Sequence, residues 1–191
     1  MSSSQPVELV WPAPEHLSGY VRALQQGWSP DNLRPQTALD ELDRITQSPE
    51  RFLAEQVDRE AAGPPVTLPD GSIVRRLPGY KQWMWDGEFC GVIGLRWQPG
   101  TADLPPHVLG HIGFSVVPWK RRKGCATRAL GLFLVQVRKE GLSHVELTTD
   151  PDNTASQRVI AANGGLLVER FTRPAVFGGA EGLRFRILLL P

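Results

Sequence analysis

The sequence predicts a mixed α/β fold, in which N-terminal helices precede a mixed sheet organised around a strand-helix-strand-helix core after residue 108. Three observations predict it. The first third reads as helices broken by prolines, apolar residues alternate at period two in segments after residue 66, and helical apolar spacing appears twice after residue 108. At 191 residues, 41% hydrophobic and 21% charged, the chain has the composition of one folded domain with a substantial core. The whole of 1–191 is read as a single domain, helical over 1–63 and sheet-forming over 64–191.

A short apolar stretch, Val7 to Trp11, opens the chain, and Glu15 to Ala62 follows as two or three helices broken by Pro30, Pro35 and Pro49. Pro64-Pro65 ends the helical part. Asp70-Gly71 and Asp86-Gly87 are turn dipeptides, and Lys81 to Trp85 and Phe89 to Trp97 flank the second as strands of a meander. The Pro- and Gly-rich loop Gln98 to Pro106 leads to a strand over Val108 to Val117, where Ile112, Phe114 and Val116 alternate with His111, Gly113 and Ser115. Ala126, Ala129, Leu130, Phe133 and Val137 then share one helical face, so a helix runs from about Gly124 to Glu140, with Gly141 as its C-terminal cap. His144 to Thr149 alternates as a strand, Asp152 or Asn153 caps a second helix that ends at Gly164-Gly165, and Leu166 to Phe171 and Leu183 to Leu190 close the sheet. The crossover between the strands before and after the first of these helices requires at least one parallel strand pair.

Composition excludes several functions. No apolar run approaches the ~20 residues that span a bilayer, and the first residues lack a basic segment followed by an apolar one, which predicts a cytoplasmic protein with no membrane partner. Cys90 and Cys125 cannot build a disulfide framework and sit in no metal-ligand spacing. His107 and His111 would lie ~13 Å apart on a strand, so no metal site is expected. A net charge of +1 argues against a nucleic-acid partner, and the six tryptophans read as core and sheet surface. The charge is nonetheless uneven. Ten acidic and 5 basic residues fall in the first 63, leaving 10 acidic and 16 basic for the rest.

The sharpest local feature is Val116-Val117-Pro118-Trp119-Lys120-Arg121-Arg122-Lys123-Gly124-Cys125-Ala126-Thr127, a strand that turns through a basic loop into a helix. Gly124 and Ala126 allow close approach of a ligand, first-turn N–H groups point outward, and Arg121, Arg122 and Lys123 add charge, so the loop suits an anion such as phosphate. Neither GxxxxGK[ST] nor GxGxxG occurs, which excludes the common phosphate loops. Cys125 at a helix start has no histidine beside it in sequence and reads as a packing residue.

Arg121-x-x-Gly124-x-Ala126, together with Asp152-Asn153-Thr154-Ala155-Ser156-Gln157-Arg158-Val159-Ile160 and Asn163-Gly164-Gly165, resembles the two cofactor segments of the GCN5-related N-acetyltransferases. Pro78-Gly79-Tyr80, Gly110-His111-Ile112-Gly113-Phe114 and Asp152-Asn153 resemble a bacterial subgroup of predicted acetyltransferases. The resemblance covers about residues 78 to 170 and implies a mostly antiparallel sheet with a βαβα core that binds acetyl-CoA. It implies that the backbone of Val116 and Val117 binds the pantetheine arm and that the loop amides, including those of Arg122, Lys123, Gly124, Cys125, Ala126 and Thr127, hold the pyrophosphate. Asn153 and Ser156 would contact the cofactor from the second helix, or Asn153 would simply cap it.

The implied reaction is direct attack of a primary amine on the thioester in a ternary complex, the acceptor being a small molecule or peptide. A protein N-terminal acetyltransferase and a non-catalytic acyl-CoA sensor are the alternatives. His111 is the candidate base, with a buried structural histidine as the competing reading. Ile160 stands where relatives carry a tyrosine that protonates the thiolate, which leaves Tyr80 as a substitute acid or a packing aromatic. The acidic N-terminal helices, with Asp40, Glu41 and Asp43, are expected to face the amine. The sequence does not fix the oligomeric state, a homodimer included.

Overall fold

A computed structural model describes residues 6–32 and 34–189. In chain order its elements are β1 (Glu8–Val10), α1 (Pro14–Gln25), α2 (Thr37–Gln47), α3 (Pro49–Ala54), β2 (Val57–Asp58), β3 (Val66–Thr67), β4 (Ile73–Val74), β5 (Gly79–Trp85), β6 (Phe89–Arg96), β7 (Ile112–Val116), α4 (Cys125–Val137), β8 (His144–Thr149), α5 (Thr154–Ala162), β9 (Leu166–Thr172) and β10 (Glu181–Leu188). By contacts the chain divides into two compact units, one of Met1–Val57, Tyr80–Gly94 and Phe114–Phe133, the other of Asp58–Gly79, Leu95–Gly113 and Leu134–Pro191.

In the first unit, the prolines set the helices. Pro14 and Pro49 occupy first-turn positions, where their missing N–H costs nothing, and the Ser48 hydroxyl caps α3 by accepting from Arg51 N–H at 3.3 Å. Helical spacing turns Tyr20, Ala23 and Leu24 of α1, Ala38 and Ile45 of α2, and Phe52 of α3 onto Trp83 of β5 and Phe89 and Val92 of β6. Tyr20 and Trp83 stack with ring centroids 4.6 Å apart and planes 7° from parallel. Such a pair contributes about 1 kcal/mol beyond its buried area. The sheet runs β1-β5-β6-β7, with the short β2 also on β5. β2 falls where the helical reading ran on to Ala62, because the Gln56 carbonyl accepts from Lys81 N–H (2.8 Å) and draws the chain onto the sheet. At Gly91 any β-carbon would stand 2.2 Å from the Ser115 carbonyl oxygen, so glycine is what lets β6 approach β7.

The second unit holds the antiparallel sheet β8-β10-β9, with Val145, Leu147, Leu183, Phe185 and Ile187 buried. Leu190, expected to end the last strand, lies outside the described residues. Two further expectations are corrected here. The strand expected over 108–117 begins only at Ile112, since Val108 N–H closes a turn onto the Pro105 carbonyl (2.9 Å) and Gly110 runs against the Glu146 backbone. The parallel ladder expected from the β7-α4-β8 crossover is not formed among the described strands, because β7 ends one sheet and β8 begins another. In its place, His111 N–H donates to the Glu146 carbonyl (2.7 Å) and Glu146 N–H donates to His111 Nδ1 (2.9 Å). A side-chain nitrogen thus stands in for a backbone acceptor.

Candidate active site

The loop between β7 and α4 is anchored before it reaches the helix. Lys120 Nζ lies 2.8 and 3.0 Å from the two Asp86 oxygens and 3.0 Å from Glu88 Oε2. Burial disfavours its charge, but the two carboxylates outweigh burial and hold the Lys120 pKa above the ordinary lysine range. Lys120 is therefore committed to structure. Arg121 is committed as well, its Nε donating to the Val116 carbonyl at 3.1 Å. Arg122 and Lys123 are exposed, and among the described residues neither forms an ion pair.

The backbone here is unusual. Arg122 adopts φ +60° and Gly124 φ +76°, a left-handed conformation that costs a side-chain-bearing residue about 1–2 kcal/mol. Alternating left-handed residues turn successive N–H groups toward one side, which is the geometry of an anion nest. A β-carbon at Gly124 would meet nothing within 4 Å, so conformation rather than crowding by the protein requires glycine there. The first helical bond of α4 is Arg128 N–H to the Gly124 carbonyl (3.0 Å), placing the amides of Cys125, Ala126 and Thr127 ahead of it, where a helix presents partial positive charge. Cys125 is buried and donates from Sγ to the Lys120 carbonyl (3.4 Å), in agreement with a packing role. Arg128 Nε donates to the Val7 carbonyl (2.7 Å) and fixes the helix start to β1. Two exposed cations, a left-handed backbone and a helix N-terminus form a donor set that could hold the pyrophosphate of coenzyme A.

Val116 and Val117 divide. Val117 N–H donates to the Cys90 carbonyl (3.0 Å) on the β6 side, so alternation turns the Val116 peptide to the outer edge of the sheet. Phe114 shares that outward direction and was hidden in the sequence among the alternating residues. In the second unit, the Asn153 side chain caps α5 by accepting from Ser156 N–H at 3.0 Å, so the capping reading is realised, with Asn153 exposed and Ser156 half-buried.

The candidate proton carriers are less suited to their roles. His111 is fully buried, and its Nδ1 lone pair is taken by Glu146 N–H. The neutral ring must then carry its proton on Nε2, which finds no hydrogen-bond partner among the described residues. Burial, reinforced by His144 and Arg184 against the opposing Glu146 carboxylate, lowers the His111 pKa to about 4. With Nδ1 accepting from Glu146 N–H and the ring buried, His111 presents no free lone pair in this geometry. Tyr80 on β5 is buried between Trp11 and Phe133, with ring centroids 5.6 and 5.5 Å away. Ile160 is core. Of the three N-terminal carboxylates, Asp40 and Asp43 are exposed, whereas Glu41 is buried, accepts from the Tyr20 hydroxyl and lies 3.6 Å from Lys81 Nζ. Its spacing from Ala38 and Ile45 on the apolar face of α2 is the signal that marks it as internal.

Residues 32–165, well over half of the chain, match the family model of the acetyltransferase (GNAT) domain. No curated protein matches the sequence. Among solved structures, the microcin C7 self-immunity acetyltransferase MccE, in complex with acetyl-CoA and AMP, is similar with a TM-score of 0.63 at 13% identity, over 98% of this chain and 93% of that one. RimL, a ribosomal L7/L12 alpha-N-protein acetyltransferase in complex with coenzyme A, is similar with a TM-score of 0.63 at 13% identity, over 98% and 95%. An acetyl transferase from Salmonella typhimurium that modifies the N-terminal serine of 50S subunit protein L7/L12 gives 0.60 at 11%, over 98% and 96%. At such identities the likeness is one of fold. The family match over residues 32–165 assigns the chain to the GNAT family of acetyl-CoA-dependent N-acetyltransferases.

Proposed function

We propose that this chain, as one N-acetyltransferase domain over 1–191, acetylates a primary amine of a small molecule or peptide by direct attack in a ternary complex. Acetyl-CoA supplies the activated acetyl group. The loop amides from Arg122 to Thr127, with Arg122 and Lys123, hold its phosphates, and the outer edge of β7 at Val116 takes the pantetheine arm. The observation that carries this reading is the left-handed pair at Arg122 and Gly124 beside the first turn of α4.

His111 holds β7 to β8 and Tyr80 packs the core, so neither carries a proton in this scheme. The amine sheds its proton to water, and water protonates the thiolate. The N-terminal helices form the acceptor side, with the exposed carboxylates of Asp40 and Asp43 favouring an ammonium-bearing acceptor. A cytoplasmic setting agrees with two buried thiols, Cys90 and Cys125, kept reduced.

Titration calorimetry with acetyl-CoA tests the donor site, and release of free coenzyme A across a panel of amines tests the reaction. Gly124→Glu places a carboxylate in the nest and should abolish acetyl-CoA binding in a chain that remains folded by circular dichroism. Unchanged affinity in the folded variant would sink the assignment.

A further inference from the structure

The outer edge of β7 is not bare. Val117 N–H and the His111 carbonyl turn toward β6, bonding Cys90 O (3.0 Å) and Arg96 N–H (2.9 Å). Period two therefore turns the peptide groups of Phe114 and Val116 to the side where, among the described residues, the sheet has no further strand. Both carbonyls on that side already have side-chain donors: Asn32 Nδ2 donates to Phe114 O at 3.1 Å and Arg121 Nε donates to Val116 O at 3.1 Å. Neither donor belongs to a strand. Asn32 is exposed, in the connection between α1 and α2. That connection is tied to β7 by two further bonds, Trp28 Nε1 to Ser115 Oγ (3.0 Å) and Ser115 Oγ to the Ser29 carbonyl (3.2 Å). These ties involve buried or half-buried groups, so the connection stays on β7 without Asn32.

We propose that Asn32 is a placeholder on the pantetheine-binding edge: it satisfies the Phe114 carbonyl until an amide N–H of the acetyl-CoA arm takes that acceptor, and it thereby sets the affinity for the arm. The proposal rests on the reading that this edge receives acetyl-CoA. Its chemistry is that of any sheet edge. A carbonyl covered by an incoming chain must be paired, the arm carries two secondary amides whose N–H groups pair as a strand's would, and a side-chain donor standing in the same place must leave first. Displacing Asn32 costs one exposed hydrogen bond, a tax on binding that removal of the side chain abolishes.

Asn32→Ala should therefore bind acetyl-CoA more tightly, by about three- to ten-fold in the calorimetric Kd. Adenosine 3′,5′-bisphosphate, which has phosphates and no pantetheine arm, should bind the variant and the unaltered chain equally. Thermal unfolding of the variant within a few degrees of the unaltered chain establishes that the edge is intact. Equal or weaker acetyl-CoA binding by Asn32→Ala would overturn the proposal, because Asn32 would then be a bystander or would remain as a partner of the arm. Equal tightening toward both ligands would overturn it too, since the effect would not belong to the arm. If the unaltered chain binds the bisphosphate but gains nothing from the arm, the edge reading fails. If it binds neither ligand, the donor-site assignment itself fails, and this inference with it.

Discussion

His111 separates two histidine chemistries in one experiment. In the folded chain Nδ1 accepts from Glu146 N–H (2.9 Å), so protonation breaks that bond and places a cation in a buried site beside His144 and Arg184. Burial is the largest cause, and the pKa falls from 6.5 to about 4. The unfolded chain, with an ordinary histidine, binds the proton more readily. The contribution to stability is therefore complete above pH 6.5 and is lost as pH falls from 6.5 toward 4. At 1.36 kcal/mol per pH unit that interval bounds the loss at about 3 kcal/mol, and solvent screening reduces it. His111→Asn keeps a side-chain oxygen near the Nδ1 position and does not titrate, so it should retain most of the stability at pH 7.5 and flatten the slope between pH 6.5 and 4. His111→Ala leaves Glu146 N–H unpaired and should cost about 1–3 kcal/mol at pH 7.5. Urea unfolding at pH 7.5, 6.0 and 5.0 measures these differences, and coenzyme A release with an accepted amine supplies the rate. A limb in the pH–rate profile near 6.5 that His111→Asn removes without changing stability would refute the positioning role and make His111 the base.

Arg122→Gly removes both the left-handed strain and one cation. It should raise Tm by about 2–4 °C, as about 1 kcal/mol of relieved strain does in a chain of this size, while weakening acetyl-CoA binding about three- to ten-fold; a lowered Tm would show that the conformation is unstrained. Glu41→Gln should act on stability, by about 1–3 kcal/mol in urea unfolding, because the Tyr20 hydroxyl and Lys81 lose their shared carboxylate. Asp40→Asn combined with Asp43→Asn should leave stability within about 0.5 kcal/mol, raise the amine KM and spare the acetyl-CoA Kd. An unchanged KM would remove α2 from the acceptor side.

The elements were legible wherever local chemistry decides them. Prolines set the starts of α1 and α3, the shared face of Ala126, Ala129, Leu130, Phe133 and Val137 marks α4, and Gly141, at φ +74°, ends the helical run. What was not legible depends on partners far away in sequence. Lys120 reads as one of four equivalent cations until Asp86 and Glu88 claim it from the β5–β6 turn. His111 reads as an alternating strand residue, and only the backbone of Glu146, 35 positions on, shows that its lone pair is spent. Asn32 lies 82 positions from Phe114 and belongs to no motif.

The four consecutive cations show how a loop can be stiff and strongly positive at once. Lys120 is held by two carboxylates and Arg121 by a carbonyl, which clamps the chain on the β7 side of the nest. The Arg128 bond to Val7 clamps it on the helix side. Between the clamps the backbone is held with Arg122 at φ +60°, so the strain is met in folding rather than when the ligand binds. The two cations left over, Arg122 and Lys123, then add attraction without having to order the loop. A loop with four uncommitted cations would carry more charge, but it would lose affinity to the ordering of its own backbone. Under the proposed function, two of the four charges therefore serve the phosphates indirectly, by fixing the amides that would meet them.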